Sequence, residues 1–170
     1  QSFIGLYFTD QPPRTAFTGV QLPPAFGALS GVDIPAGNKA YKVTDSFTLP
    51  IDVEAFAISA HAHYLGKHLQ MTATLPTGKQ LDLLDIPDWD FSWQEQYQFK
   101  DFIKLPKGTR LDSMVVWDNS AANPNNPTVP PVRVRWGVES EDEMGSLTLL
   151  CRPGPGERYA TLTTAYARHL

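Results

Sequence analysis

The sequence is poor in the residues from which many metal, redox and membrane sites are built. Its 170 residues include a single cysteine, Cys151, which excludes an internal disulfide and a multi-cysteine zinc cage. Cys151 ends an apolar run, so we expect it to be buried in a strand. Only four histidines are present. No apolar run approaches the roughly 20 residues that span a bilayer, so no membrane span is expected.

Basic residues are also few. The chain has 14 lysines and arginines against 18 aspartates and glutamates, for a net charge of -4. Without a basic stripe for phosphates, nucleic acid is not expected as a partner. A hydrophobic fraction of 42% is typical of a folded chain, and the length fits a single domain over residues 1–170. The opening at Gln1, without a signal-peptide pattern, is what we expect of a processed form or of a domain cut from a longer protein.

Short β-like runs between prolines and glycines dominate the chain. Alternating apolar and polar residues in 42–49 and 97–104 predict half-buried strands. Turns are predicted at 76–79 and 106–109, where proline sets φ and glycine tolerates φ > 0. Strands are predicted at 3–8, 39–49, 53–63, 69–75, 80–84, 97–104, 110–117, 132–136 and 146–150. This spacing predicts an all-β fold, an antiparallel sandwich or jelly roll.

Three stretches do not fit the strand pattern. Residues 12–37 are rich in proline and glycine, and we expect them to wrap the surface and cover a sheet edge. Residues 118–131 are expected to form a loop, either a functional lid or a surface excursion. Residues 157–170 fit a last strand or a short helix equally well.

The four tryptophans are expected to contribute to the core. Each can bury about 150–250 Å² of surface. For two of them, Trp89 and Trp93, neighbouring aspartates also allow a substrate or glycan platform. The full set is Trp89, Trp93, Trp117 and Trp136.

Two histidines close an apolar strand. Strand side chains repeat their direction every second residue, so His61 and His63 project from the same face and can converge on one ion. A third donor must come from elsewhere, and Met144 is a candidate because it lies between the acidic run 141–143 and an apolar strand. Two imidazoles and a thioether suit copper, since the sulfur favours Cu(I) and imidazole serves both oxidation states. The sequence therefore predicts one copper ion per chain.

Other interpretations of these residues stay open. The two histidines could be satisfied by ordinary hydrogen bonds, and Met144 could fill a gap in the core. His68 lies an odd number of residues from His63, which places it on the opposite face of a continuous strand. A turn at residues 65–66 could bring His68 back, either as an alternative ligand or as a partner of the ligands.

The residues around the histidine pair resemble a known enzyme family. Residues 34–37 resemble that family's Ile-Pro-Pro-Gly turn, and residues 4–7 its opening strand. Residues 89–94 and 117–120 are similar to bacterial members. The family is the copper type II, ascorbate-dependent monooxygenases, which include peptidylglycine α-hydroxylating monooxygenase and dopamine β-monooxygenase. Two motifs of this chain resemble that family's C-terminal domain. They are His61-x-His63-x-Leu65-Gly66-Lys67 and, further along, Asp142-Glu143-Met144.

The resemblance implies an antiparallel β-sandwich of jelly-roll type with a copper bound by His61, His63 and Met144. That copper would activate O2 for hydroxylation of a C–H bond in a small-molecule substrate. Electrons would come from ascorbate or another donor through a second copper, held by three histidines in a preceding domain. With four histidines in all, this chain does not itself hold that second site. Flanking redox domains of the parent protein are the implied partners, and the implied location is periplasmic or extracellular.

The peptide-binding residues of the family are not retained. Its peptide-amidating members bind a substrate carboxylate with an arginine, an asparagine and a tyrosine, where this chain has Ser59, Ser146 and Thr148. None of the three supplies a bidentate cationic contact, so a peptide carboxylate is not the expected substrate. The competing hypotheses are a non-catalytic copper-binding or accessory domain of a larger bacterial redox protein, and a copper-free sandwich.

Overall fold

The computed structural model describes residues 3–12 and 15–170. Ten strands, one 3-10 helix and one α-helix are assigned in these residues. The strands are β1 (Thr18–Leu22), β2 (Asp33–Ile34), β3 (Tyr41–Thr48), β4 (Val53–Ala62), β5 (Gly66–Thr74), β6 (Gln80–Ile86), β7 (Gln96–Leu105), β8 (Arg110–Trp117), β9 (Val134–Arg135) and β10 (Gly145–Pro153). The 3-10 helix spans Pro24–Ser30 and α1 spans Tyr159–Ala167.

Eight of the strands form two four-stranded sheets. Their orders are β1-β10-β4-β7 and β3-β8-β5-β6, and the short strands β2 and β9 pair with each other. All the pairings within the two large sheets are antiparallel. If the eight long strands are renumbered 1 to 8 in chain order, without β2 and β9, the strand orders of the two sheets are 1-8-3-6 and 2-7-4-5. This double Greek-key order confirms the prediction of an all-β antiparallel sandwich of jelly-roll type.

The core lies between the two sheets and follows from the period-2 alternation of the strands. In β4, Ile58 is buried while its neighbour Ser59 is partly exposed. Leu149 of β10 and Leu69 of β5 join Ile58 in one cluster that draws on both sheets. Full burial of a side chain of this size contributes about 1.5–3 kcal/mol, so the alternation also determines which residues of β4 face outward.

Both predicted tight turns are present. Gly78 and Gly108 adopt φ of 85° and 84°, where only glycine is unstrained. The main-chain N–H of Leu75 donates to the carbonyl of Lys79 across the first turn, and that of Thr109 donates to Pro106 across the second. The loop predicted at 118–131 is also irregular in the structure.

The prediction for the first 40 residues is wrong for one segment and misses two short strands in another. Residues 3–8 are not a strand, and their apolar side chains are exposed, with Tyr7 at 99%. A strand needs a hydrogen-bonding neighbour, and this segment has none among the described residues. The stretch 12–37, which did not fit the strand pattern and was expected to cover a sheet edge, contains β1 and β2, and β1 covers the edge of β10 by pairing with it. Pro13 and Arg14 of that stretch lie outside the described residues.

Burial separates the four tryptophans into two pairs. Trp89 and Trp117 are buried, as expected, and the platform hypothesis for Trp89 is therefore wrong. Trp93 and Trp136 are 63% and 37% exposed, so the expectation that they pack in the core is wrong. Both exposed tryptophans lie in loop segments outside the eight long strands.

The end of the chain shows one confirmed expectation and resolves one ambiguity. Cys151 is buried in β10, and burial raises the pKa of its thiol to about 12. The tail that fitted a strand or a helix forms α1. This helix packs through Leu162, which is fully buried, and the Tyr166 hydroxyl donates to the carbonyl of Gln21 at 2.7 Å. Within residues 3–12 and 15–170, no helix is long and apolar enough to cross a bilayer.

Candidate functional site

The two predicted ligands lie together at one end of the sheet that contains β4. His61 faces away from the core, since its neighbours Ala60 and Ala62 are both buried. His63 follows the last residue of β4, and its side chain returns to the same side. The two imidazole centroids are 5.1 Å apart with an interplanar angle of 85°. The spacing of two residues therefore brings the histidines together as predicted.

Each imidazole is held through its Nδ1 atom. Nδ1 of His61 lies 2.6 Å from Oε1 of Gln94, and Nδ1 of His63 lies 3.0 Å from the main-chain oxygen of Asp142. In the described part of the chain, neither Nε2 atom has a protein hydrogen-bond partner. Among the same residues, the one buried side-chain nitrogen or oxygen without a partner is Oγ of Ser120. Nε2 of His63 is therefore reached by solvent although the residue is only 5% exposed.

The third predicted ligand, Met144, directly precedes β10. Gly145 pairs with Ala62, and Ser146 pairs with His61. Continuing this antiparallel register by one residue places Met144 opposite His63, and directly opposed residues share a face of the sheet. The residue is partly exposed and lies at the boundary between a loop and a strand, as the sequence indicated.

Glu143, next to Met144, is fully buried and hydrogen-bonded to the histidine segment. Its Oε2 accepts from the main-chain N–H of His63 at 3.1 Å and from Nε1 of Trp117 at 2.9 Å. Its Oε1 accepts from the N–H of Leu65 at 2.6 Å. Glu143 is thus a buried member of the acidic run 141–143, whereas Glu141 of the same run is exposed. Three donors satisfy the carboxylate and tie the end of β4 to the start of β10.

Burial shifts the pKa values of two groups in the site. Desolvation raises the pKa of Glu143 to about 8, against the hydrogen bonds from Leu65, His63 and Trp117, which lower it. Desolvation lowers the pKa of His61 below its ordinary value of 6.5; the hydrogen bond with Gln94 opposes this shift, and the neighbouring His63 adds to it. The neutral imidazole that binds a metal is thus favoured at His61.

A loop that contains residues 89–94, to which the sequence assigned no contact with the histidines, supports both of them. It joins β6 to β7 and reaches back across the end of β4. Nε1 of buried Trp89 donates to the main-chain oxygen of His63 at 3.2 Å, and the ring of Phe91 lies 6.2 Å from the His63 ring. Gln94 then contacts His61. The available sequence signal was the density of aromatic and polar residues in 89–94, which does not show what they touch.

Gly66 is the point at which this loop can approach the turn after His63. A Cβ on Gly66 would lie 2.6 Å from Cδ1 of Trp89 and 2.8 Å from Cβ of Ala62. We therefore expect Gly66→Ala to destabilise the protein by about 1–3 kcal/mol, as overpacked cores do. Denaturant unfolding measures the loss. Gly5→Ala, in the unpaired segment, is the control, and an equal stability for both variants would contradict the close approach.

Phe26 lies against the other side of His61. Its ring is 5.2 Å from the His61 ring, edge-on at 80°. The residue has φ of 53°, an uncommon value for an aromatic residue, and so does its neighbour Ala25 at 49°. Two hydrogen bonds hold this conformation: Phe26 N–H donates to Oε1 of Gln21 at 3.2 Å, and Nε1 of Trp136 donates to the Phe26 carbonyl at 3.2 Å. Backbone strain of this kind costs about 1–3 kcal/mol and concentrates at functional sites.

Three other residues named from the sequence are not candidate ligands: His68 lies apart from His61 and His63, and Ser59 and Ser146 carry no charge. His68 belongs to β5 in the opposite sheet, where its Nε2 is 2.6 Å from Oδ1 of Asp85. The chain crosses from one sheet to the other between β4 and β5, so His68 lies away from His61 and His63. Ser59 pairs with Thr148, and Ser146 pairs with His61. Within the described ranges, no group of three or more His, Cys, Asp or Glu side chains is arranged to hold a metal ion.

Comparisons with known proteins do not assign a family. No protein-family model matches the chain, and no curated protein matches it. Among solved structures, it is similar to the crystal structure of the Yersinia pseudotuberculosis-derived mitogen, with 9% sequence identity and a TM-score of 0.25. That match covers 72% of this chain and 92% of the mitogen chain. A likeness this weak carries no argument, and the resemblance to copper monooxygenases stays a prediction.

Proposed function

We propose that this chain is a mononuclear copper domain of a copper-dependent monooxygenase. The supporting observation is the pair of imidazoles, 5.1 Å apart, that present Nε2 atoms without protein partners in the described part of the chain. Continuing the register of β4 and β10 by one residue beyond the pair of Gly145 and Ala62 would place Met144 opposite His63. These three side chains supply two nitrogen donors and one thioether, a set that suits copper in both oxidation states.

The residues present fit such an ion by their hydrogen bonds as well as by their type. Histidines that bind metals generally donate the other ring N–H to a carbonyl or carboxylate oxygen. Both Nδ1 atoms here face an oxygen, from Gln94 and from Asp142. When bound, copper would supply the O2 chemistry needed for hydroxylation of a C–H bond. Fewer than four protein donors would leave a position open, which distinguishes catalytic metal sites from closed structural ones.

The chain's own groups would bind and orient in this proposal. Glu143 fixes the segment that carries His63 relative to the segment that carries Met144. Phe26 lies edge-on to His61 and Phe91 lies edge-on to His63, so the two aromatic rings flank the pair of imidazoles. Ascorbate or another external donor, and redox domains of a parent protein, would supply electrons. A periplasmic or extracellular location belongs to the same proposal.

A second candidate is a non-catalytic copper-binding or accessory domain. The two remaining histidines each lie beside a carboxylate, His68 next to Asp85 and His169 next to Asp45 at 3.0 Å. The chain therefore lacks the histidines for a second copper site, which a coupled two-copper reaction would require. Oxidation of a small-molecule panel driven by ascorbate or by peroxide separates the two candidates, because only the monooxygenase domain would convert a substrate.

The copper proposal is tested by metal titration and X-ray absorption on the whole chain. We expect one Cu(I) per chain, with a shell of two nitrogen scatterers and a longer sulfur scatterer. Met144→Leu keeps the size and apolar character of the side chain but removes the sulfur. We expect it to lose the sulfur scatterer and to weaken Cu(I) binding more than Cu(II) binding, since thioether prefers the softer ion.

Met114, on β8 of the opposite sheet, provides the matched control. Met114→Leu should leave both the sulfur scatterer and the affinity unchanged. Equal weakening of Cu(I) and Cu(II) by Met144→Leu would contradict thioether ligation. Absence of stoichiometric copper binding in the parent protein would contradict the proposal as a whole.

A further inference from the structure

The orientation of the Gln94 side chain is determined by two hydrogen bonds. Its Nε2 donates to the main-chain oxygen of Phe91 at 3.0 Å. The amide oxygen is thereby turned toward His61, 2.6 Å from Nδ1. If the amide were rotated by half a turn, its oxygen would face the Phe91 carbonyl oxygen, and neither of these two oxygens can donate a hydrogen bond. The hydrogen-bond network therefore assigns the amide orientation.

An amide oxygen accepts hydrogen bonds and cannot donate them. The short contact with Gln94 consequently requires a proton on Nδ1 of His61. The main-chain oxygen of Asp142 makes the same demand on Nδ1 of His63, at 3.0 Å. A neutral imidazole carries one proton, so both rings present a bare Nε2. In water the other tautomer, with the proton on Nε2, is the more populated form.

We propose that Gln94 is a positioning residue that holds His61 in the Nδ1–H tautomer and thereby prepares its Nε2 for a metal ion. The metal consequence rests on the proposed copper function, whereas the tautomer itself does not. Gln94 lies on the loop whose other end is anchored by buried Trp89, through Nε1 to the His63 oxygen and through its N–H to Lys67 at 2.9 Å. The loop thus contacts both histidines, but it supplies the Nδ1 acceptor of His61 only, because the acceptor for Nδ1 of His63 is the main-chain oxygen of Asp142.

This difference between the two histidines makes the inference specific. The acceptor for His61 is a side chain, and the acceptor for His63 belongs to the main chain. A substitution at Gln94 should therefore change the tautomer of His61 and leave that of His63 as it was. Because Gln94 is exposed, removing its amide does not open the core. A general structural disturbance would instead alter both rings.

The tautomers are measured by long-range proton–nitrogen correlation NMR on the metal-free protein at about pH 8, where an ordinary imidazole is neutral. In the parent we expect both His61 and His63 as Nδ1–H. Gln94→Leu should move His61 to a mixture or to Nε2–H, with His63 unchanged. Gln94→Glu keeps an acceptor oxygen and should restore Nδ1–H at His61. Gln98→Leu, the same change on an exposed position of β7, is the matched control and should behave as the parent.

A Cu(I) titration of the same four proteins completes the test. We expect Gln94→Leu to weaken Cu(I) binding by about 10–100-fold, the usual effect of losing a group that orients a ligand, and Gln94→Glu to recover most of that loss. An Nε2–H tautomer at His61 in the parent, or no tautomer change in Gln94→Leu, would overturn the inference. The expected tautomers without Cu(I) binding in any protein would overturn the copper function and leave the role of Gln94 in place.

Discussion

Replacing Glu143 by alanine is expected to destabilise the metal-free protein by roughly 3–5 kcal/mol, because several buried hydrogen-bond donors would lose their acceptor at once. The main-chain N–H groups of His63 and Leu65 and Nε1 of Trp117 would all lose their acceptor. Each buried donor left unsatisfied costs about 1–3 kcal/mol. Chemical denaturation followed by tryptophan fluorescence measures the loss directly. Glu141→Ala, two residues away and exposed, is the control and should cost less than about 0.5 kcal/mol.

The pH dependence of stability checks the environment of the same carboxyl group. Its pKa is raised from 4.5 in the unfolded chain to about 8 in the folded protein. The folded state therefore binds more protons between these values, and stability should fall as pH rises from about 4.5 to about 8. The lowered pKa of His61 acts in the opposite sense below 6.5, where the unfolded chain takes up a proton first.

Glu143→Gln tests whether titration of Glu143 itself causes the pH dependence of stability. Glutamine has nearly the same shape but does not titrate, so its stability should lack the fall between pH 6.5 and 8. It would also turn an amide NH2 toward at least one of the three donors, so the variant should be less stable than the parent at low pH, and this difference should shrink as the pH rises toward 8. An identical pH slope in the parent and in Glu143→Gln would show that another group causes the dependence.

The second large effect concerns copper. His63→Ala is expected to weaken Cu(I) binding by more than about 100-fold, beyond the roughly 10–100-fold range of residues that only orient a ligand. The reason is that the substitution removes one of two nitrogen donors, and solvent cannot replace an imidazole whose geometry is fixed in advance. His61→Ala should have an effect of the same order. Competition titration with a Cu(I) chelator measures both affinities.

His68→Ala tests whether the effect is specific to the pair. His68 lies on the opposite sheet beside Asp85, so its loss should change the Cu(I) affinity by no more than about the factor of two or three that separates surface variants. If His68→Ala weakened binding as strongly as His63→Ala, the ion would be bound elsewhere or by a mixture of sites. The three alanine variants therefore decide between the predicted pair and the alternative ligand that the sequence left open.

The strands of this protein were largely predictable because their signals are local. Alternation of apolar and polar residues marked β3 and β7, and proline–glycine pairs marked the turns at Gly78 and Gly108. The prediction of a strand at 3–8 was wrong because it too used only local composition. Its composition favours a strand, but pairing depends on a partner that composition does not supply. The short strand β1 was missed because its pairing with β10 outweighs the proline and glycine around it.

The residues of the candidate site also differ in whether a local sequence signal marks them. The pair His61 and His63 could be found because strand geometry places residues two apart on one face, and its position at the end of an apolar strand was visible in the sequence. Met144 came from a motif and from its place between loop and strand. Nothing local marked Gln94, which is 33 positions from His61, or predicted that Glu143 would be buried 80 positions from His63.

The amino-acid sequence alone thus determined the β architecture and the direction of the two imidazoles, since both follow from periodicity within a single strand. The tertiary structure decided what surrounds them. It placed an amide oxygen beside one ring, a carboxyl group beneath the turn that follows the other, and His68 on the far sheet. Those outcomes depend on which distant segments the packed core brings together, and hydrogen bonding between such segments has no period that a linear pattern can display.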